Sequence, residues 1–467
     1  MRSLPISHLY LGFFALVMMG YMALDKGFAY IGASPIFIGE ITLALGFFVI
    51  LTGAYSIRVF QSPIAWALAV FIMWNALRTL PFVDAYGLDA LRDAVLWGYA
   101  LFALVIAGIL LKTHKLEAVP ELYAKVIPGI LVIGLAAFLI TEIVGTGLPT
   151  WPGTDATIIL VKASDLGVHT AGALAFFALG LHTVFPRVRR LRIPLADLVT
   201  WGLIVVCAIA VLSRSRGGFA AIACTGLFVT LFRPNNRMMR MAAPAIVVGV
   251  LFVTLNIEIP LQGGRSISPQ QLVTNVLSIF GDQDKQSLDG TESWRLNWWD
   301  LIIQDVVRGD KFWLGRGYGI SHAEVDGFTD ITGNRSPHSA HINILGRAGV
   351  PGFISWIALL VTFYGVMTRY YLKARSEKRH ELAALNLWVM AYSVPFLIAG
   401  AFDVYLEGPQ GGIPFWCIIG YGIALSEAQR QSMARPQPPR EPTTPKPPER
   451  PRRRRPQRPG PPRPAWA

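Results

Sequence analysis

Long apolar runs separated by polar loops dominate the sequence, and every second loop is rich in lysine and arginine. The strongly basic loops are residues 112–125, 187–192, 233–240 and 369–379, whereas the loops between them are neutral or acidic. Membrane-spanning helices produce this pattern, because short basic loops remain on the cytoplasmic side. The pattern therefore predicts a polytopic membrane protein and assigns a side of the membrane to every loop.

Composition and charge agree with a membrane protein. Hydrophobic residues make up 53% of the chain and charged residues only 15%, where a soluble protein carries about 25%. The net charge is +13, but from Arg430 onward eleven basic residues face two acidic ones, which leaves +4 for the rest. A charge concentrated in one tail excludes a nucleic-acid binder, because the body of the protein has no basic surface to offer.

Apolar windows of about 20 residues predict an all-α integral membrane protein with twelve transmembrane helices. An even number places both termini on one side, and the basic loops identify that side as cytoplasmic. Cys207, Cys224 and Cys417 all fall inside apolar runs without a CxxC pattern, so they are interpreted as core residues. The first run lacks a convincing cleavage site and is interpreted as a helix. The predicted spans are 7–24, 35–53, 62–80, 90–111, 126–145, 167–185, 195–213, 217–232, 239–257, 342–368, 384–402 and 412–427.

Four segments organise the predicted chain: residues 1–257 with nine helices, 258–341 as one large outer loop with short helices, 342–429 with three helices, and 430–467 as a cytoplasmic tail. The tail holds thirteen prolines, which favours disorder or polyproline II. A solvated tail is the simpler interpretation. The alternative is that residues 452–455, four arginines, contact anionic lipid.

Two arginines lie between the seventh and eighth predicted spans, in the motif Ser-Arg-Ser-Arg-Gly-Gly of residues 213–218. The loop is so short that Arg214 and Arg216 would lie at the outer edge of the lipid, where charge usually faces a cavity or a partner. An arginine beside a helix N-terminus suits an anion such as phosphate. The alternative is that both side chains only reach the lipid headgroups.

The outer loop contains a second candidate segment, residues 290–300. Apolar positions at 296, 299, 301 and 302 predict an amphipathic helix with Arg295 near its start. An interfacial helix anchored by tryptophans is the alternative interpretation. Further along, residues 315–319 read Gly-Arg-Gly-Tyr-Gly, outside any strand, turn and helix of a nucleotide fold. They predict a glycine-rich turn and not a dinucleotide site.

Two histidines precede the tenth predicted span. His338 and His341 lie just ahead of a long apolar run that contains Gly349 and Gly352. A histidine can accept a proton from a hydroxyl near neutral pH. The spacing would also suit two metal ligands, but no neighbouring cluster completes such a site. The sequence therefore favours neither a metal nor a cofactor.

Charged residues near the outer ends of other spans extend the candidate site. Glu40 and Arg78 lie in the outer halves of the second and third spans, and a mutual ion pair is the favoured interpretation. Arg92 and Asp93 open the fourth span and extend the basic cleft. The candidates for substrate binding are Arg78, Arg92, Arg214, Arg316 and His341.

Together these motifs, in this order and on one side of the membrane, resemble the superfamily of O-antigen ligases and O-antigen polymerases. The resemblance covers most of the body and excludes the tail. It implies transfer of a glycan from undecaprenyl diphosphate to an acceptor hydroxyl at the periplasmic face of a bacterial inner membrane, without nucleotide sugar or metal. The implied partners are that lipid-linked donor, a glycan or lipid A–core acceptor, and the bilayer.

The resemblance also assigns roles. Arg216 matches the arginine of the Ser-Arg-Gly motif, and Arg295 matches the loop arginine before the glycine-rich turn. His338 matches the catalytic histidine, because it lies eleven residues before Gly349. Ser339 replaces the commoner asparagine after that histidine, so His341 is the alternative. The implied chemistry has the arginines hold the leaving diphosphate and the histidine take the acceptor proton, with inversion expected for a direct displacement.

Several alternatives are compatible with this reading. A single dominant outer loop favours a ligase, and residues 146–166 are short for the second loop of a polymerase. A third variant would transfer the glycan to protein. A secondary transporter also fits twelve spans, but no internal repeat is visible and the ionisable residues gather at the outer face instead of the midplane. A monomer is the default expectation.

Overall fold

The predicted apolar runs form helices in a computed structural model that describes residues 5–154, 156–184, 194–232, 247–261, 266–280, 285–328 and 335–434. The chain divides into two units, residues 1–429 and 430–467. Of the second unit, only the helical residues 430–434 are described. The rest of the predicted tail, its contact with lipid and the basic loops at 187–192 and 233–240 lie outside the described residues.

Helices make up nearly all of the described regular structure. Residues 247–254 are also helical, and two short antiparallel hairpins join β1 (Gly32–Ala33) to β2 (Ile36–Phe37) and β3 (Ile259–Pro260) to β4 (Ser266–Ile267). The labelled helices are α1 Ile6–Ala29, α2 Ile38–Leu51, α3 Pro63–Tyr86, α4 Leu88–Gly98, α5 Leu101–Thr113, α6 Ala118–Val144, α7 Ala163–Ala178, α8 Pro194–Arg214, α9 Arg216–Phe232, α10 Pro269–Phe280, α11 Lys285–Ile303, α12 His322–Asp326, α13 Ala340–Ser376, α14 His380–Phe402 and α15 Pro409–Ala434.

Six of the described helices are long and apolar enough to cross a membrane: α1, α3, α6, α8 from Asp197 onward, α13 and α14. A seventh crossing results if α4 and α5, which are bent by 45° at their junction, act as one span. The helices α2 and α9 are apolar but shorter. A multi-pass helical membrane protein is therefore confirmed, and the number of twelve spans stays a prediction.

Several helix ends differ from the sequence prediction for local reasons. The predicted span 167–185 ends as a helix at Ala178, because Gly180 adopts a φ of +75° and leads into a 3₁₀ turn. The predicted span 90–111 is broken between α4 and α5. The long helix α13 carries a kink at Gly349, whose φ is +71°. A side chain there would meet the carbonyl oxygen of Phe312 at 2.7 Å, so only glycine fits.

The kink in α13 receives the glycine-rich turn. The backbone amide of Arg316 donates to the carbonyl of Gly346 at 2.7 Å, and that of Val350 donates to Phe312 at 2.8 Å. Gly315, Gly317 and Gly319 all have positive φ. The prediction of a glycine-rich turn is confirmed, and the turn fixes the outer-loop chain against the start of α13.

The helix α14 is the most buried of the six long helices and packs against α7, α9 and α13. The contact of α7 with α9 is close, since an added Cβ at Gly167 would lie 3.1 Å from the Cα of Gly218. The paired glycines after Arg216 thus serve helix packing. The C-terminal end of α14, at Phe402, is the point where the candidate site forms.

The described part of the predicted outer loop folds onto the helices. Asn275 of α10 donates to the carbonyls of Leu212 and Ser213 at 2.9 and 2.8 Å, and so caps the end of α8. The predicted amphipathic helix is present as α11, but Arg295 lies in its middle and not near its start. Its buried face carries Trp298 and Ile302. The predicted apolar positions 296 and 301 are exposed instead, because the buried face repeats at four residues from Trp298.

Candidate active site

His338 lies in the short connection that leads into α13. The indole of Trp299 donates to the carbonyl of Pro337 at 2.7 Å, and the hydroxyl of Ser339 caps α13 by accepting from the amide of Ile342. Between these anchors His338 adopts a φ of +52°, a conformation that costs a non-glycine residue about 1 kcal/mol or more. Its ring packs edge-on against Trp294 at 5.7 Å. The surroundings therefore hold the imidazole in a fixed orientation.

The carboxylate of Asp403 faces this imidazole. Its Oδ1 lies 3.5 Å from Nδ1 of His338 and accepts from the amide of Val404 at 2.8 Å. Its Oδ2 accepts from Nζ of Lys162 at 2.9 Å. Burial raises the pKa of Asp403, but His338 and Lys162 outweigh that effect and hold the pKa well below its usual range. Asp403 is therefore a stable negative charge that points one ring nitrogen of His338 inward.

Lys162 lies at the start of α7 and is still 43% exposed. Burial lowers its pKa, but the nearby carboxylates of Asp403 and Asp165 outweigh that effect and raise the pKa above its ordinary value. Behind it, Lys26 of α1 carries a further charge in electrostatic range of Lys162 and Asp403. Two cations thus stand beside the largely buried carboxylate of Asp403.

The same region holds two buried acids. Asp25 and Asp165 are each 2% exposed, and Asp25 lies where α1 breaks, with a φ of +49°. Their carboxyl groups are neighbours, and a proton on one of them removes the repulsion between two like charges. The hydroxyl of Ser164 donates to Asp165 at 2.9 Å. The charge of this acid pair favours the protonated form of Lys162.

Arg295 and Arg216 approach the same helix end from the loop and from α9. The Nη1 of Arg295 donates to the carbonyl of Phe402 at 3.1 Å, and its guanidinium lies 5.4 Å from the ring centre of Trp294. An added Cβ at Gly217 would lie 3.8 Å from the Cβ of Phe402, which brings the first turn of α9 to this point. We call Lys162, Arg216, Arg295, His338 and Asp403 the Asp403 cluster.

The two arginines of the Ser-Arg-Ser-Arg motif differ in their pairing. The Nε of Arg214 lies 2.7 Å from Oε2 of Glu142. Within the described residues, the half-buried guanidinium of Arg216 has neither an ion-pair nor a hydrogen-bond partner. The hydroxyl of Ser215 accepts from the amide of Gly218 at 3.0 Å and caps α9. Arg216, at a helix N-terminus, is thus the arginine that keeps its capacity for an anion.

The alternative histidine is fully engaged. The Nε2 of His341 lies 3.1 Å from the carbonyl of Leu397, and its Nδ1 accepts from the indole of Trp356 at 3.1 Å. A ring with both nitrogens bonded has no atom left for a substrate proton. The structure therefore brings His338, and not His341, into the Asp403 cluster.

Other predicted site residues lie at the glycine-rich turn. The guanidinium of Arg316 is 7% exposed and bonds both Asp305 and Asp326 at 2.6 Å. The Nε of Arg78 donates to the carbonyl of Leu314 at 2.7 Å. Arg92 is 54% exposed and pairs with its neighbour Asp89 at 3.1 Å. None of these three joins the Asp403 cluster through the described contacts.

The predicted ion pair of Glu40 with Arg78 is wrong. Glu40 instead accepts from the hydroxyl of Tyr99 at 2.7 Å and from the amide of Phe37 at 3.0 Å, at the first turn of α2. Each side chain has another partner, Glu40 at the start of α2 and Arg78 at the carbonyl of Leu314, which is distant in sequence. A carboxylate at a helix N-terminus gains from the helix dipole without any cation.

A second charged group surrounds Arg347, whose side chain is 1% exposed. Its Nη1 lies 2.8 Å from Oδ2 of Asp93, and the same oxygen accepts from the amide of Gly319 at 2.9 Å. Arg335 lies 3.6 Å from Asp93 and donates to the carbonyl of Gly319. We call Asp93, Arg316, Gly319, Arg335 and Arg347 the Arg347 cluster. Here the positive charges are neutralised by carboxylates and turn carbonyls.

Glu407 lies between the two clusters in the connection of α14 to α15. Its Oε1 accepts from the hydroxyl of Ser336 at 3.2 Å. Burial raises the pKa of Glu407 to about 7, although the charge of Arg347 and the bonds from Ser336 and Asn343 act in the opposite direction. This carboxyl is therefore half protonated near neutral pH.

Sequence reasoning did not find four of these residues. Lys162 is the only basic residue between positions 146 and 166, and a lysine in an outer loop runs against the positive-inside bias. Asp25, Asp165 and Asp403 each lie near the end of an apolar run, where an acid is costly unless it has a function or a partner. The unusual lysine and the acids near the ends of apolar runs are visible in the sequence, but the sequence does not show which of these charges lie together.

Taken together, the helices and the Asp403 cluster define a multi-pass membrane protein with a cationic site and a carboxylate-held histidine. Within the described residues, no group of three or more His, Cys, Asp or Glu side chains is arranged to hold a metal. Residues 201–357 match the family model for O-antigen ligase. This match spans 157 of the 467 residues and supports the resemblance to the O-antigen ligase superfamily. No curated protein matches the chain significantly.

The matched segment begins in α8 and ends in α13. It contains Arg216, Arg295 and His338, and it leaves out Lys162 and Asp403. The Asp403 cluster therefore joins residues of the family domain to residues from the helices on either side of it.

Proposed function

We propose that this protein transfers a glycan from undecaprenyl diphosphate to an acceptor hydroxyl at the periplasmic face of a bacterial inner membrane, as an O-antigen ligase does. One observation supports the proposal above the others. His338 faces the carboxylate of Asp403 at 3.5 Å, and within the described residues neither Arg295 nor Arg216 has a carboxylate partner. A site of this kind combines a proton acceptor with a binding place for a diphosphate.

The cations suit the donor. A lipid diphosphate carries negative charge that grows as its bond to the sugar breaks, and fixed positive groups stabilise that charge. Arg216 begins α9 and Arg295 lies on α11, so both are placed by helices. Lys162 adds an ammonium that is 43% exposed and is paired with Asp403. Since these side chains and the helix N-terminus supply the positive charge, we propose that the transfer needs no metal.

The histidine suits the acceptor. With Nδ1 directed at Asp403, the other ring nitrogen, Nε2, is the one available to a hydroxyl proton. The carboxylate would stabilise the imidazolium that forms, as a positioning residue and not as the acceptor itself. General base catalysis of this type contributes about 10²–10⁴-fold.

The proposed reaction is a single displacement. The acceptor oxygen forms a bond to the anomeric carbon as the bond from that carbon to the diphosphate oxygen breaks. The electron pair leaves with the diphosphate, and the hydroxyl proton moves to Nε2 of His338. Attack from the side opposite the leaving group inverts the anomeric configuration, so a product with retained configuration would contradict this mechanism.

The acceptor distinguishes the related functions. We favour lipid A–core, because the sequence has one dominant outer loop and the described part of that loop, α10 to α12, packs onto the site. Growth of the lipid-linked chain would instead identify a repeat-unit polymerase.

The test is a transfer assay with the full-length protein in proteoliposomes. It supplies a purified undecaprenyl diphosphate glycan, lipid A–core and EDTA, and compares wild type with Asp403→Asn and Asp403→Glu. Labelled lipid A–core, strongly reduced in Asp403→Asn and partly restored in Asp403→Glu, is expected. A protein with wild-type thermal stability that transfers glycan to no acceptor would overturn the proposal.

A further inference from the structure

An apolar groove lies between α1, α5, α6, α14 and α15, away from the Asp403 cluster. Its volume is about 500 Å³, and its walls are almost wholly apolar, with Met18, Met22 and Trp388 among them. It follows α1 from His8 to Met22, which corresponds to roughly 21 Å at the rise of an α-helix. That length is about two thirds of a bilayer hydrocarbon core, so the groove is long enough for a lipid chain.

The charged side chains of the groove lie at one end. His8, Lys115, Glu121 and Lys125 line the mouth, near the N-terminus of α1. Within the described residues, neither Lys115 nor Lys125, both exposed, has an ion-pair partner. One acid against two free lysines gives this mouth a net positive charge, which suits an anionic headgroup.

We infer that the groove binds one anionic phospholipid, with an acyl chain along α1 and its phosphate at Lys115 and Lys125. The lysines belong to a loop predicted to be cytoplasmic, so the lipid would come from the inner leaflet. This inference does not depend on the proposed function.

Charge and position argue against other occupants. The C-terminal tail is strongly basic and would be repelled by the mouth. A polyprenyl donor would place its diphosphate at the Asp403 cluster, which is in electrostatic range of Lys26 near the C-terminal end of α1, and would leave Lys115 and Lys125 without an anionic partner. A phospholipid is thus the occupant that matches both the apolar walls and the basic mouth.

Two glycines allow a sharp test. An added Cβ at Gly12, which lines the groove, meets no atom within 4 Å, and the same is true at Gly129 on α6, which does not line it. Gly12→Phe should therefore fill the groove, whereas Gly129→Phe places the same ring outside it. A double variant, Lys115→Ala with Lys125→Ala, tests the groove lysines. A second double variant, Lys112→Ala with Lys378→Ala, removes two lysines that do not line the groove and is its control.

The measurement is native mass spectrometry of the full-length protein released from nanodiscs that contain phosphatidylglycerol, phosphatidylethanolamine and undecaprenyl phosphate. Wild type and both controls should retain one phosphatidylglycerol. Gly12→Phe should lose it, and the groove lysine pair should reduce its retention by about thirtyfold, since each lysine near an anionic headgroup contributes several-fold. Thermal melting of every variant shows that the fold is intact.

Three results would overturn the inference. Equal retention in Gly12→Phe and Gly129→Phe would mean that lipid does not enter the groove. Equal retention of phosphatidylethanolamine would remove the role of the lysines. Displacement of phosphatidylglycerol by undecaprenyl phosphate would assign the groove to a polyprenyl chain.

Discussion

The Asp403 cluster and the Arg347 cluster use the same residue types and leave them in opposite states. Arg347 is 1% exposed and its partner Asp93 is 8% exposed, whereas Lys162 is 43% exposed in its pair with Asp403 and Arg216 has no described partner. A buried, paired charge holds structure, because leaving either member alone in the interior is costly. An exposed cation without a carboxylate of its own retains the capacity to bind a ligand.

This difference separates the arginines that the sequence grouped together. Arg214 and Arg316 are paired with acids. Arg295 instead donates to a backbone carbonyl, and Arg216 has no partner among the described residues. The comparison predicts that changes in the Asp403 cluster reduce transfer without unfolding the protein. Changes in the Arg347 cluster should reduce stability and spare transfer by each folded molecule.

The largest effect is expected at His338. His338→Ala should reduce the transfer rate by about 10²–10⁴-fold, because it removes the proton acceptor, with little change in thermal stability. His341→Ala should behave in the opposite way, since it breaks bonds to Leu397 and Trp356. Initial rates and melting temperatures of both variants distinguish the two histidines. A greater loss of rate in His341→Ala would identify His341 as the general base.

A somewhat smaller effect is expected at Arg216. Arg216→Ala should reduce the rate by about 10²–10³-fold, the usual loss for one group that stabilises a developing anion. Arg214→Ala is the matched control, two residues away and paired with Glu142, and should mainly lower the melting temperature. Similar rates for the two variants would show that the free guanidinium of Arg216 has no role in turnover.

The Arg347 cluster is tested through stability. Arg347→Met leaves Asp93 buried without its closest cation and should destabilise the protein by about 3–5 kcal/mol. Arg308→Met, at an exposed position in the segment between α11 and α12, should change stability little. Denaturation in detergent measures both effects, and the rate for each folded Arg347→Met molecule should remain near wild type. Loss of transfer in fully folded Arg347→Met would move this residue into the active site.

The smallest effect is a pH dependence from Glu407. Its pKa is about 7 in the folded protein and about 4.3 in an unfolded chain. Between these values the folded state holds a proton that the unfolded state has released. Its contribution to stability is therefore full below about pH 4.3 and is lost as the pH rises to 7.

Glu407→Gln should remove this dependence. Melting temperatures at pH 5 and pH 8 are expected to fall more between the two pH values for wild type than for the variant. An identical fall in both proteins would show that the pKa of Glu407 does not differ between the folded and the unfolded protein.

The sequence determined the class of fold and the resemblance to O-antigen ligases. Apolar runs and basic loops identify membrane helices because lipid imposes length and charge bias on each segment separately. The motifs around Arg216, Arg295 and His338 are also local, so they could be recognised without a fold. The glycine-rich turn was predicted for the same reason, since positive φ at three glycines is a local property.

Only the tertiary structure decided which charges meet. Asp403 faces His338 across 65 positions of chain, and Lys162 reaches Asp403 from a separate helix. The ion pair predicted for Glu40 and Arg78 failed because each found a backbone partner nearby. Pairing and burial depend on distances between helices, and no apolar period or charge pattern within one segment contains that information.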